Sequence, residues 1–279
     1  ERSVGTETYI ASKEMYAFTD RKGRNLALRP EGTAGAVRAY IEGNYAQQGV
    51  TKFWYTGPMF RAERPQKGRY RQFFQLGCEL FGARSIGADL EMIDIAARLL
   101  ERLGVSAALK LNHLGCAACK EAMIRSIAAW FGAHRGELCP DCLTRLEKNP
   151  LRLLDCKVPA CRALAAGVPP VALCAACQGE LDGFEQGLAA TGLAYTVDRH
   201  LVRGLDYYTG IVYEMTSGQL GAQDAILGGG RYDGLVEQLG GPATPAVGFA
   251  LGMDRLAELI RPVDRPDAGA VPFLYVIGL

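Results

Sequence analysis

The sequence lacks a long hydrophobic run, an excess of charge of either sign, and more than a few histidines. No apolar stretch approaches the roughly 18 residues of a membrane-spanning helix, so no membrane span is expected. With 31 basic and 30 acidic residues the net charge is +1, so any contact with a polyanion must be local. The three histidines are dispersed, and none is a strong catalytic candidate.

The chain also lacks export signals. It begins at Glu1 without a signal-peptide pattern or an initiator methionine, so we expect a cytoplasmic protein that is cut at its front. Nine cysteines would suggest disulfides in a small secreted domain, but in 279 residues without such signals reduced thiols are the default. The 49% hydrophobic content predicts a substantial buried core.

The periodicity of apolar residues predicts a sheet with flanking helices. Strands are expected over residues 53–60 and 72–81, joined as an antiparallel hairpin, and a helix over 89–103 ends at Gly104. Further segments are strands over 194–197, 211–215 and 246–251, and a helix over 253–260. Strands outnumber crossover units, which favours an α+β fold with a largely antiparallel sheet over a doubly wound fold.

Cysteine content divides the chain. Residues 115–181 hold eight of the nine cysteines and few strand-like runs, which indicates a mainly helical insertion between two parts of one core, 1–114 and 182–260. Residues 261–279 read as a Pro-, Asp- and Gly-rich linker followed by the first strand of a further, truncated domain.

The second strand of the hairpin carries polar residues on one face. Gln75 and Glu79 lie roughly 13 Å apart along that face, with a side-chain-free gap at Gly77 where a ligand could lie. The alternative is a half-exposed strand whose polar residues face water.

The loop between the two strands concentrates positive charge. Guanidiniums bind phosphate oxygens in a two-pronged manner, and Phe73 could supply a flat apolar wall for a base. Glu63 is out of place among cations unless it accepts from a donor such as a purine amino group. A solvated charged loop is the alternative. The basic residues are Arg61, Arg64, Lys67, Arg69 and Arg71.

Three later segments could approach a ligand. Arg203 stands close to Tyr207 and Tyr208, which could equally be packed, hydrogen-bonded residues. Gly228–Gly230 lets the backbone approach a ligand, although turns use such glycines freely. Arg255 falls in the first turn of the last predicted helix, where a cation is electrostatically unfavourable next to the positive end of the helix dipole. A functional role is one reason for an arginine at this position.

Together and in order, these segments resemble the histidyl-tRNA synthetase family. Residues 60–73 with Gln75, Gly77 and Glu79 are similar to the second signature of class II aminoacyl-tRNA synthetases, and residues 248–255 to the third. Residues 28–33, 203–208 and 228–233 resemble segments characteristic of the histidine enzyme. The resemblance implies a six-stranded antiparallel sheet that binds bent ATP beside histidine.

The resemblance also implies roles for individual residues. Arg61 and Arg203 would serve catalysis at the α-phosphate, where Arg203 takes a place that related enzymes give to a metal ion. The implied ATP-binding residues are Arg61, Glu63, Arg69, Phe73 and Arg255. The implied histidine-binding residues are Arg29, Pro30, Glu31, Thr33, Gln75, Glu79, Arg203, Tyr207, Tyr208 and Tyr232.

The implied reaction is activation of histidine by ATP, with Mg²⁺, followed by transfer to the 3′ end of tRNA(His). The intact enzyme would be a homodimer. The first class II signature, which serves dimerisation, and most of the anticodon-binding domain are expected to lie outside this chain.

The cysteines form pairs two residues apart, a spacing that suits tetrahedral zinc, so two four-cysteine sites could form. Ordinary buried thiols are the alternative, with redox chemistry less favoured. The pairs are Cys116 with Cys119, Cys139 with Cys142, Cys174 with Cys177, and the looser Cys156 with Cys161.

Two other functions remain open. The first is a histidine-binding regulatory paralogue that controls ATP phosphoribosyltransferase, against which the complete arginine loop, Glu31 and Arg255 argue, because a histidine sensor needs no ATP clamp. The second is a class II synthetase for another amino acid, such as threonine or proline.

Overall fold

A computed structural model describes residues 14–62, 65–221 and 224–260 of the chain. Its main element is a seven-stranded sheet in the order β3-β4-β9-β8-β7-β5-β6. The strands are β3 (Lys52–Phe60), β4 (Gln72–Phe81), β5 (Ala108–His113), β6 (Tyr195–Val197), β7 (Thr209–Thr216), β8 (Ala225–Arg231) and β9 (Ala246–Gly252). A separate two-stranded sheet joins β1 (Ala17–Thr19) and β2 (Asn25–Ala27).

Eight α-helices accompany the sheets in the described residues. They are α1 (Thr33–Glu42), α2 (Ile86–Arg102), α3 (Ala117–Ala133), α4 (Pro140–Lys148), α5 (Pro159–Ala166), α6 (Ala175–Thr191), α7 (Leu235–Gln238) and α8 (Met253–Leu259). The segment between β5 and α6 is helical and contains three of these helices, α3 to α5.

The predicted fold class is confirmed, with one correction. The hairpin of β3 and β4 is antiparallel, and every neighbouring pair in the large sheet is antiparallel except β5 with β6. The expectation of six strands was wrong by one, because the short strand β6 joins the edge of the sheet parallel to β5. The glycines Gly228–Gly230 lie inside strand β8 and not in a turn.

The apolar face of the sheet forms the main core. Leu80, Leu227, Phe249 and Leu251 are buried there with apolar residues of α2 and α6. Because successive side chains of a strand point to opposite faces, burial of this set leaves the alternate residues on the other face. That second face carries the candidate site.

The predicted domain boundary between insertion and core falls within a continuous helix. The proposed boundary at residue 181 lies inside α6, which packs on α2 of the core through close approaches at Gly183 and Gly187. The division into core and insertion remains a proposal, and the helix favours a boundary nearer its start. The predicted linker and strand over 261–279 lie outside the described residues.

Candidate active site

The second face of the sheet has a floor of very small residues. Opposite residues of an antiparallel pair share a face, and the register places Gly77 beside Ala250 and Ala250 beside Gly228. Gly248 and Gly252 lie opposite Glu79 and Gln75 in the same way. Above this floor opens a cavity of about 1300 Å³. Side chains of the protein cover Gly77, Gly228 and Gly248, so the open part of this floor is Ala250 and Gly252 of β9, which line the cavity and let a ligand lie close to the backbone.

Three arginines from separate segments line this one cavity. Arg61 follows β3, Arg203 precedes β7, and Arg255 lies in the first turn of α8. Always charged and planar, guanidiniums are suited to binding phosphate oxygens. Their convergence is the arrangement that the sequence analysis required.

Arg61 is held by the backbone of another segment. Its Nε donates to the Pro30 carbonyl at 2.8 Å, and its guanidinium carbon lies 5.1 Å from the centroid of the Phe73 ring. Both Arg61 and Phe73 line the cavity, so a cation and an aromatic face stand side by side there.

Arg255 is anchored by two backbone carbonyls. Its Nε donates to the Gly68 carbonyl and its Nη1 to the Ala225 carbonyl, each at 2.7 Å. These bonds explain how a cation is accommodated at the N-terminal end of α8, as the sequence analysis placed it. Asp254, in the same turn, supplies negative charge that suits the helix dipole and accepts from the Phe74 amide at 2.7 Å.

Arg203 lies flat over the floor. A side chain at Gly228 would overlap its guanidinium, and its Nη1 is paired with Glu214 of β7. Among the described residues, the buried Nε of Arg203 has no hydrogen-bond partner. The ring of Tyr208 stands 6.0 Å from the guanidinium carbon. Glycine is required at 228 for this placement, and the unpartnered Nε is a donor available to a ligand.

The carboxylate of Glu31 caps helix α1. It accepts from the backbone amides of Thr33 at 2.6 Å and Ala34 at 3.0 Å, which satisfies donors that a helix start leaves open. Burial raises the pKa of Glu31, while these amide bonds oppose the rise. Both Glu31 and Thr33 line the cavity.

Glu79 is the centre of a buried network. Its side chain is 1% exposed, and it accepts from the hydroxyls of Tyr232 at 2.5 Å and Tyr55 at 3.1 Å. Burial raises the pKa of Glu79 to about 8, although the Tyr232 hydrogen bond lowers it. Neither Glu79 nor Tyr232 lines the cavity, so the network is closed off from it.

Tyr55 is a residue that the sequence analysis missed. The gap predicted at Gly77 is not open to a ligand, because the Tyr55 ring from the neighbouring strand occupies it. The register explains this: Tyr55 lies directly opposite Gly77 and shares its face. Alternation along β3 could have revealed it, since Phe53, Tyr55 and Gly57 oppose Glu79, Gly77 and Gln75.

Two further polar atoms of the site have no partner in the described part of the chain. They are Oε1 of Gln75 and the hydroxyl of Tyr207, both buried and both on residues that line the cavity. A buried polar atom without a partner is costly, and a polar ligand would satisfy both. Tyr207 also packs its ring 4.8 Å from Tyr208 and 5.7 Å from Tyr232.

The other predicted residues fall into three groups. Arg69, Phe73 and Tyr208 line the cavity, as expected. Arg29 and Pro30 do not: Arg29 binds the Pro58 carbonyl at 2.9 Å, and Pro30 contributes its own carbonyl to Arg61. Glu63 lies outside the described residues. The eight cysteines assemble as two groups of four.

Comparison with known proteins identifies the chain's relatives. The sequence profile of histidyl-tRNA synthetases matches residues 1–135 and 158–256. The chain belongs to the histidyl-tRNA synthetase family. It is 50% identical to the histidine--tRNA ligase of Anaeromyxobacter dehalogenans over 99% of this chain and 67% of that protein. It is 46% identical to the histidine--tRNA ligase of Desulforapulum autotrophicum over its full length and 66% of that protein.

Solved structures agree with the family. The apo histidyl-tRNA synthetase of S. aureus shares 33% identity with a TM-score of 0.67, covering 88% of this chain and 60% of that one. A Bacillus halodurans protein described as an ATP phosphoribosyltransferase regulatory subunit/histidyl-tRNA synthetase has the same TM-score at 25% identity, covering 93% and 71%.

The family makes the chain an aminoacyl-tRNA synthetase, a ligase, and the prediction of a histidine--tRNA ligase is confirmed at this level. The regulatory paralogue is not better supported. The chain spans about two thirds of the length of these curated relatives. Among the described helices, none is long and apolar enough to cross a membrane.

Proposed function

We propose that this chain carries the site where L-histidine reacts with ATP to give histidyl-adenylate, and where the histidyl group then passes to tRNA(His). The observation that carries this proposal is that one cavity is lined both by Arg61, Arg203 and Arg255 and by Gln75 and Tyr207, whose buried side-chain oxygens have no partner in the described residues. Three guanidiniums suit a triphosphate, and we call these arginines the phosphate end of the site. Neutral hydrogen-bonding groups with a carboxylate suit a small polar amino acid, and we call Glu31, Thr33, Gln75 and Tyr207 the amino-acid end.

We assign ATP to the phosphate end. Phe73, next to Arg61, would offer its ring to the adenine, and Arg255 would cover the opposite side of the nucleotide, as the family resemblance implies. Arg69 adds a further guanidinium to the lining. Glu63 is proposed, from the family resemblance, to accept from the adenine amino group.

We assign histidine to the amino-acid end from the family resemblance. Glu31 and Thr33 line the cavity and would receive the ammonium group, and Gln75 and Tyr207 would donate or accept hydrogen bonds with the substrate. Glu79, Tyr208 and Tyr232 support this end from the buried network and its neighbouring rings. Arg29 and Pro30 act indirectly, through the segment whose carbonyl holds Arg61.

The reaction follows from this placement. The histidine carboxylate attacks the α-phosphorus in line, the bond to the bridging oxygen of the β-phosphate breaks, and pyrophosphate leaves. Arg203 and Arg61 neutralise the charge that develops on the phosphorus oxygens, so catalysis consists of positioning and electrostatic stabilisation. The terminal ribose hydroxyl of the tRNA then attacks the carbonyl of the adenylate, and AMP departs.

Mg²⁺ would enter with ATP. The cavity lining includes three carboxylates, Glu214, Asp224 and Asp254, which are the kind of oxygen ligand that Mg²⁺ prefers. Glu214 is paired with Arg203 and Asp224 with Lys110, so the phosphates would supply most of the ligands. A bound Mg²⁺ would neutralise charge on the β- and γ-phosphates.

The partners of the whole protein are L-histidine, ATP, tRNA(His) and a second copy of the chain in a homodimer. Trp54, 72% exposed on the edge strand β3, together with the exposed Phe74, supports an apolar contact surface there. The nine cysteines, all free, suit a reducing compartment such as the cytoplasm.

The test is exchange of labelled pyrophosphate into ATP by the protein that contains this chain. We expect exchange with histidine and none with threonine, proline or no amino acid. Histidine binding without exchange would contradict the proposal and favour the regulatory paralogue. Exchange with another amino acid would support an adenylating site but overturn the assignment of histidine as its substrate.

A further inference from the structure

Eight cysteines lie together in two compact groups. The first, called the root quartet, consists of Cys116, Cys119, Cys174 and Cys177. The second, called the wall quartet, consists of Cys139, Cys142, Cys156 and Cys161. Within each quartet all four sulfurs lie within 4.8 Å of one another. Six of the eight come from Cys-x-x-Cys pairs, and each quartet joins two pairs from separate segments.

The spacing of the sulfurs matches one metal ion. A tetrahedral zinc with Zn–S bonds of about 2.3 Å places its sulfurs roughly 3.8 Å apart. The Cys116 and Cys119 sulfurs are 3.8 Å apart, and the Cys139 and Cys156 sulfurs are 3.9 Å apart. A polynuclear iron–sulfur cluster needs more room between its thiolates, and the cysteines form no disulfide. We propose that each quartet binds one structural Zn²⁺ ion.

The backbone around the root quartet is arranged for thiolates. Cys116 and Cys174 are the N-cap residues of α3 and α6, so the positive ends of two helices face the sulfurs. The Cys116 amide donates to the Cys177 sulfur at 3.1 Å, and the Cys174 amide donates to the Cys119 sulfur at 3.2 Å. This reciprocal pair offsets the excess negative charge of four thiolates around a divalent ion.

The root quartet connects the helical segment to the sheet. Gly115, which follows β5, has φ +77°, and a side chain there would overlap the Cβ of Cys119. The nearby His113 is not a ligand, because its Nδ1 accepts from the Gly115 amide at 2.9 Å and its Nε2 faces Glu180 at 3.2 Å. The ion would therefore tie the chain leaving the sheet to the chain returning to it.

The wall quartet repeats the arrangement beside the cavity. Cys139 is the N-cap residue of α4, and its amide donates to the Cys161 sulfur at 3.3 Å. Cys139 and Cys156 both line the cavity. Zinc here would fix the wall that faces the substrates.

The chain that the wall quartet encloses contacts the segment that carries Arg203. The Arg152 guanidinium lies against Gly204, next to Arg203, and Asn149 donates to Asp206 at 2.7 Å. Loss of the ion would loosen this wall. Any resulting loss of activity rests on the proposed function of Arg203. The binding of zinc itself does not depend on it.

Metal content of the purified protein tests the proposal. Elemental analysis should give two zinc ions per chain, one in Cys119→Ser, one in Cys142→Ser, and none in the double variant. Cys78→Ser is the matched control: Cys78 lies on β4, outside both quartets, and should leave two. Fewer than two ions per chain in the unaltered protein, or iron in place of zinc, would overturn the proposal.

A second measurement covers variants that fail to fold. Cobalt exchanged into the unaltered protein should give thiolate-to-cobalt charge-transfer bands and the intense visible bands of tetrahedral coordination, at two cobalt ions per chain. With zinc bound, a thiol reagent should react with Cys78 alone, and with all nine cysteines after chelation and unfolding. Nine reactive thiols in the folded protein would contradict the assignment, whatever the outcome of pyrophosphate exchange.

Discussion

The two ends of the cavity are built in different ways. At the phosphate end, Arg61 and Arg255 are held by the backbone carbonyls of Pro30, Gly68 and Ala225. Behind the amino-acid end, by contrast, the buried Glu79 does not line the cavity and is surrounded by side-chain hydroxyls. The first end uses neutral acceptors to hold charges. The second uses neutral donors to hold a carboxylate whose pKa burial raises to about 8.

The difference predicts which change should affect each end, loss of a charge or a change of pH. A carbonyl leaves the charge of an arginine available to a phosphate, and that charge does not titrate near neutrality. A buried carboxyl with a raised pKa titrates within the working range of most enzymes. The phosphate end should therefore respond to loss of charge, and the amino-acid end to pH.

Arg203→Ala should have the largest effect. The guanidinium neutralises charge that develops only as the α-phosphorus is attacked, so the adenylation rate should fall roughly 100- to 1000-fold with little change in histidine binding. Single-turnover formation of adenylate and equilibrium histidine binding measure the two quantities. Arg199→Ala, an exposed arginine nearby that does not line the cavity, is the control. Equal losses in rate and binding would assign Arg203 to ground-state recognition.

Arg255→Ala should weaken the binding of ATP and leave the binding of histidine nearly unchanged. Removing a charge-assisted contact with the triphosphate should raise the KM for ATP roughly 10- to 100-fold and leave the KM for histidine within about twofold. Pyrophosphate exchange at varied concentrations of each substrate gives both values. A comparable rise in both KM values would show that the ends are not independent.

Glu79→Gln should change how stability depends on pH. Because the folded pKa is raised from 4.5 to about 8, Glu79 favours folding below pH 4.5, and this contribution is lost as pH rises through 8. Between pH 4.5 and 8 the free energy of unfolding of the unaltered protein should thus fall relative to the variant by on the order of 5 kcal/mol.

Urea unfolding at pH 5, 6.5 and 8 checks this expectation. The difference between the two proteins should move steadily in favour of the variant as pH increases. A constant difference across this range would mean that Glu79 keeps an ordinary pKa, and the contrast between the two ends would fail.

Tyr55→Phe should have the smallest effect. It removes one hydroxyl that donates to Glu79 and keeps the ring over Gly77. The loss of one hydrogen bond within a network closed off from the cavity should lower the free energy of unfolding by about 1 kcal/mol and change the KM values for histidine and ATP by less than about twofold. Urea unfolding measures the first quantity and pyrophosphate exchange the other two. A larger rise in either KM value would contradict the separation of this network from the cavity.

The sequence predicted elements whose signals are local. Strand β4 was predicted over the residues it occupies, and α2 begins only three residues before its predicted start, because alternation and helical spacing are read within one segment. Strands β5 and β8 were not predicted. β8 contains three consecutive glycines, which have low strand propensity. They are accepted here because a side chain at Gly228 would overlap Arg203, one at Gly229 would overlap the buried Tyr213 ring, and Gly230 has φ +153°.

Features that depend on contacts between segments were harder to predict. The spacing of the cysteines suggested zinc, but which pairs combine depends on how the helices pack. The occupation of the Gly77 gap by Tyr55 depends on the register of two strands. The convergence of Arg61, Arg203 and Arg255 was predicted from the family resemblance, because no local pattern joins residues so far apart in the chain.

A crystal structure with histidine and α,β-methylene ATP tests the central claim most directly. The account predicts the α-phosphate within hydrogen-bond distance of Arg61 and Arg203, the γ-phosphate beside Arg255, and the histidine against Gln75 and Tyr207. A nucleotide bound without contact to these three arginines, or a histidine at another place, would contradict it.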